Sequence, residues 1–155
     1  GAGLVRTYLV IADATAEAEI AVRFAARRAA KTGGAIAILT IVEPQDFVAF
    51  GSIQATIEAE AEERAQDVAK QVLDMLGDER GVLPRIIVKH GDPVAAIAEA
   101  ISENPDIAAL VLGAARTGAP GPLVTHFSGA GVSSLPCPLM IIPGSLDREA
   151  LDRLS

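Results

Sequence analysis

Short apolar runs alternate with longer amphipathic stretches along the whole chain. The runs are Tyr8–Ala12, Ile36–Val42, Arg85–Val88, Ala108–Leu112 and Leu139–Ile142. Each is rich in β-branched residues and nearly free of polar alternation, which is how a strand covered on both faces reads. Between them lie helical patterns. From Thr15 to Lys31, Ile20, Ala21, Phe24 and Ala25 share one face, and Gly33-Gly34 ends the segment. From Ile53 to Leu76, Ala61, Ala65, Val68, Val72 and Leu76 form a stripe, with a solvated acidic face opposite and Gly77 as the cap. From Pro93 to Ser102, Val94, Ile97, Ala98 and Ile101 recur at helical spacing, with Asp92 as N-cap and Pro93 at the first helical position.

A weaker helix is expected over Phe127–Ser134, stopped by Pro136-Cys137-Pro138. Five strands alternating with helices predict an α/β domain with a parallel sheet and helices on both faces. Residues 1–145 read as one domain. Residues 146–155 read as a short extension, helical if anchored by Leu146, Leu151 and Leu154. The segment Glu43–Gln54 is long for a βα connection, and its Phe47, Phe50 and Gly51 predict a loop that covers or pairs with something.

Composition narrows the function. Of 155 residues, 50% are hydrophobic but only 3% aromatic, so the core is aliphatic and a disordered chain is excluded. Twenty acids against thirteen bases give a formal charge of −7, and bases cluster no further than pairs such as Arg27-Arg28. Such a surface repels nucleic acid. No run approaches the ~20 apolar residues of a membrane span. The lone Cys137 allows no internal disulfide and reads as a small apolar side chain between prolines. With no signal peptide evident, a cytoplasmic location is expected.

Ligands of open parallel sheets bind at the carboxyl ends of strands, where strand order reverses. After the first strand, Asp13 either contacts a ligand or, with Thr15, caps the following helix. After the fourth, Gly113 to Gly121 (GAARTGAPG) is a small-residue loop that is either a plain turn or a cradle of N–H groups for phosphate. Neither a P-loop nor a dinucleotide fingerprint is present. His90 and His126 lack the partners of a catalytic triad or a metal site.

Four segments in order carry a resemblance: YLVIADAT, ILTIVEP, KHGDPVAAIAEAI, and IAALVLGA followed by SSLPCPLMIIP. Over residues 4–143 the chain resembles the universal stress protein family. The resemblance implies a Rossmann-like sheet in the order 3-2-1-4-5, which sets Asp13 and Gly113 on one crevice between strands 1 and 4. It implies ATP or AMP, with Mg, as ligand there: Asp13 toward the sugar, Thr15 among the nucleotide-binding residues, the backbone near Ile41 at the adenine, and phosphates on a loop of Gly-x-x-Gly, nine residues, then Gly-Ser/Thr. This chain departs from that loop. Gly113 matches the first glycine, but Arg116 stands at the second, and Thr125-His126 or His126-Phe127 stands at the last pair. Arg116 as a phosphate partner, and Thr125 or Ser128 as a hydroxyl donor, are the substitutes on offer.

The resemblance also implies a homodimer paired through the last strand, Leu139, Met140, Ile141 and Ile142, which as an open apolar edge would be a hazard. The reading is a stress-response binding or signalling module. The alternatives are a protein-interaction scaffold without nucleotide, and a slow ATPase, for which the Gly113 loop offers no acidic pair.

Overall fold

The computed structural model describes residues 5–44, 52–77 and 84–155. The strands are β1 (Thr7–Ile11), β2 (Ala35–Val42), β3 (Arg85–His90), β4 (Ile107–Ala114) and β5 (Leu139–Pro143). They form one sheet in the order β3-β2-β1-β4-β5, and every pairing is parallel. Val10 pairs with Ile38 on one side and Val111 on the other, so the strand order reverses between β1 and β4. The expected sheet and strand order are those observed.

Helices cover both faces because each strand points apolar side chains both ways. On one face, α1 (Ala16–Thr32) and α2 (Ser52–Leu76) pack on Val10, Ile38 and Val111 through Ala21, Val22, Ala25 and Val72. On the other, α3 (Pro93–Glu103) and α4 (Pro122–Ser128) pack on Leu9, Leu39 and Leu110 through Ile97, Ile101, Val124 and Phe127. The caps follow the sequence. The Thr15 hydroxyl accepts from Ala18 N, Gly33 closes α1 with φ of 69°, and the Asp92 carboxylate accepts from Ala95 N at 3.1 Å.

Three expectations need correction. The helix placed over Phe127–Ser134 is α4, which begins at Pro122, followed by a 3-10 turn over Ala130–Ser134. Pro122 sits at N1, where its missing N–H costs nothing, so the Pro-Gly-Pro run starts a helix. His126 therefore lies in the last turn of α4, not at its start. From the apolar run Arg85–Val88, His90 is expected after the third strand; it is instead the last residue of β3. The tail does form a helix, α5 (Arg148–Leu154), but its anchor is Leu151 at 2% exposure, whereas Leu154 is 51% exposed. Residues 45–51, which include Phe47, Phe50 and Gly51, lie outside the described residues.

At the amino end of the sheet Asp106 ties strands together. Its carboxylate accepts from the Thr7 hydroxyl of β1 and from Arg85 Nη2 of β3 at 3.1 Å, and its carbonyl accepts from Thr7 N at 3.0 Å. Burial works against the charge. The hydrogen bonds from Thr7 and Arg85 outweigh it and hold the carboxyl below the usual Asp range. A carboxylate depressed on folding stabilises above its unfolded value, about 3.9, and that contribution is lost as pH falls through the folded value. Urea unfolding followed from pH 6 downward should therefore show Asp106→Asn less sensitive to acid below about pH 4 than the parent. Equal acid sensitivity of the two proteins would remove Asp106 from the acid response.

Candidate functional site

The carboxyl ends of β1, β2 and β4 leave a cavity of about 370 Å³ on the α3/α4 side of the sheet. Such a volume lies in the range of small-molecule sites. Its walls follow from the topology. β1 continues into Ala12 and Asp13, β2 contributes Ile41, and β4 contributes Leu112 and Gly113 before it ends at Ala114. α3 starts over these strand ends with Asp92, Pro93 and Val94, and the start of α4 closes the far side with Pro120, Gly121 and Pro122.

Asp13 shapes the turn into α1. Its Oδ1 accepts from Thr15 N at 2.8 Å and from the Thr15 hydroxyl, while Thr15 caps the helix. One oxygen of Asp13 holds the turn, and Oδ2 has no partner among the described residues. Gly113 is fixed by packing. A Cβ there would lie 2.1 Å from the carbonyl oxygen of Glu17 in the first turn of α1. Glu17 lines the cavity as well.

Of the residues singled out from sequence, Asp13, Thr15, Ile41 and Gly113 come together in the wall of this cavity. Arg116, Thr125, His126 and Ser128 are exposed and do not line it. The backbone of Arg116 runs instead beside Gly144, after β5: a Cβ on Gly144 would lie 3.1 Å from Arg116 N. Sequence reading missed Glu17, Asp92 and Val94. Glu17 was within reach of it, in the first turn of the helix that Thr15 caps. Asp92 and Val94 follow β3, an edge strand, and reach the cavity only because α3 crosses back over β2.

The expectation of no acidic pair near Gly113 is also revised. The loop itself carries no acid, but β1 and α1 bring Asp13 and Glu17 to the same cavity, and Glu43 and Asp92 line it as well. No cluster of three or more metal-ligating side chains exists among the described residues. Arg64 of α2 lines an adjoining hollow that shares Asp13 and Glu43. Cys137 stays an apolar side chain: burial pushes its thiol above the ordinary range, against a smaller opposing contact with the Leu110 backbone.

A family model for universal stress proteins matches residues 5–143. The chain belongs to the universal stress protein family. Solved structures agree on the fold. The universal stress protein UspA from Lactobacillus plantarum superposes with a TM-score of 0.71 at 17% identity, covering 90% of this chain and 99% of that one. A universal stress family protein from Arabidopsis thaliana with AMP bound gives 0.58 at 15% identity, covering 89% and 91%. A universal stress protein in complex with cAMP gives 0.52 at 20% identity, covering 92% and 100%. At these identities the likeness establishes the fold alone. No curated protein sequence matches the chain significantly. No helix among the described residues is long and apolar enough to cross a membrane.

Proposed function

We propose that this universal stress protein is a small binding module that takes an adenine nucleotide or nucleoside in the crevice between β1 and β4. The observation that carries the reading is the cavity itself, at the reversal of strand order, with Asp13, Thr15, Ile41 and Gly113 in its wall. The free oxygen of Asp13 accepts from the sugar hydroxyls, and the end of β2 at Ile41 meets the base. The AMP and cAMP held by two structural neighbours support an adenine ligand.

The role is binding in a cytoplasmic stress response rather than turnover. The module works as a homodimer joined along β5, an edge strand whose Ile141 is exposed while Ile142 packs into the core. Light scattering at micromolar concentration showing monomer alone would remove the dimer from this reading.

Calorimetric titration of AMP and adenosine tests the ligand. Asp13→Ala should weaken binding by about tenfold or more, the worth of a hydrogen bond to a charged group. Asp13→Asn keeps an acceptor for the Thr15 turn, so it separates loss of the ligand contact from loss of the helix entry. An affinity unchanged in both variants would take Asp13 out of the site.

A further inference from the structure

We infer that the crevice selects the uncharged nucleoside part of an adenine ligand and disfavours its polyphosphate. This rests on the nucleotide-site reading above and sets the ligand's charge class. The charge of the wall carries it. Asp13, Glu17, Glu43 and Asp92 place four acidic residues on one cavity. Asp92 spends one oxygen capping α3, and Glu17 has no partner among the described residues. None of the described lining residues is Lys, Arg or His, and Arg64 lines only the adjoining hollow.

The wall opposite is poor in donors. Pro120 and Pro122 have no N–H, and the Ala115 N–H is already given to the Pro120 carbonyl at 3.0 Å. Gly121 and the first amides of α4, Leu123 and Val124, remain. The starts of α1, α3 and α4 all border the cavity, and each offers a partial charge of roughly +0.5, less together than the four acidic residues of the wall. The one cation of the same loop, Arg116, is exposed and outside the lining. The rest of the wall suits a purine nucleoside: Ile11, Val94 and Leu112 give apolar surface for the base, and Asp13 accepts from hydroxyls.

Titration calorimetry with adenosine, AMP and ATP, each with and without Mg²⁺ and at low and physiological ionic strength, tests this. Adenosine should bind at least about tenfold more tightly than ATP at low salt, with AMP between, given like charges within one small cavity. The gap should shrink as salt screens the repulsion, and Glu17→Gln should narrow it further. ATP binding as tightly as adenosine or more so, with or without Mg²⁺, overturns the inference and leaves the nucleotide site standing. Absence of heat from all three ligands at millimolar concentration overturns both.

Discussion

Replacing Gly113 by alanine is expected to destabilise the protein by about 3 kcal/mol, the upper part of the overpacking range. A methyl there meets the Glu17 carbonyl oxygen at 2.1 Å and its carbon at 2.6 Å. Both are backbone atoms of α1, so no rotamer change relieves the clash. The first turn of α1 must lift off β4, or β4 must bend away from β1. For a chain of this length such a loss lowers Tm by roughly 6–12 °C. The change also distorts the cavity, because Gly113 and Glu17 both line it.

Gly118 is the matched control. It lies in the same β4–α4 loop with a φ of 74°, and nothing stands within 4 Å of a Cβ there. Gly118→Ala then carries only the left-handed backbone penalty, about 1–2 kcal/mol. Urea unfolding of both variants separates the two causes. Equal losses would mean that α1 does not press on β4 as described.

Gly113 shows what a sequence can and cannot convey about this site. Its place after an apolar strand marked it as a turn glycine, and the family resemblance gave it to a phosphate loop. The contact that requires glycine comes from Glu17, ninety-six residues away in sequence, and no local pattern announces it. The strands were legible for the opposite reason. Burial on both faces leaves an unbroken β-branched run, as in Ile36–Val42, which nothing else in the chain imitates. The caps at Thr15, Gly33 and Asp92 were legible because capping is local chemistry.

The entry to α4 was misread because Pro120-Gly121-Pro122 carries turn and helix-start signals at once. What decides between them is Val124 and Phe127 finding the α3/α4 core. The cavity's charge was legible only in pieces. Asp13 and Glu17 follow β1, Glu43 follows β2 and Asp92 follows β3, and topology alone converts them into one wall. Family resemblance points to phosphate on the Gly113 loop, which runs into Pro120 and Pro122 and carries no acid, while the acidic residues line the walls around it. The resemblance therefore points to the crevice, and the residues inside it carry the proposal of what it takes.

Leu151→Ala is expected to cost about 2–5 kcal/mol, the range for emptying a buried leucine site. α5 has only seven residues, too few to be stable alone, so its helicity depends on docking. Leu151 supplies the dock: it is 2% exposed and belongs to the same core cluster as Phe24 and Ile142, with Leu146 packed against it. Polar contacts with α1 orient the helix. Arg27 pairs with Asp152 at 3.1 Å, and Lys31 Nζ donates to the Asp152 carbonyl at 2.6 Å. Asp152 is 67% exposed in that pair, so Asp152→Ala should cost no more than about 1 kcal/mol. Leu154→Ala, at an exposed position, should stay within about 0.5 kcal/mol of the parent. The three variants, compared by urea unfolding, rank burial against charge as the cause of docking. If Leu151→Ala proves as mild as Leu154→Ala, α5 is not part of the core. If Asp152→Ala is the most damaging, the ion pair and not the leucine holds the helix down.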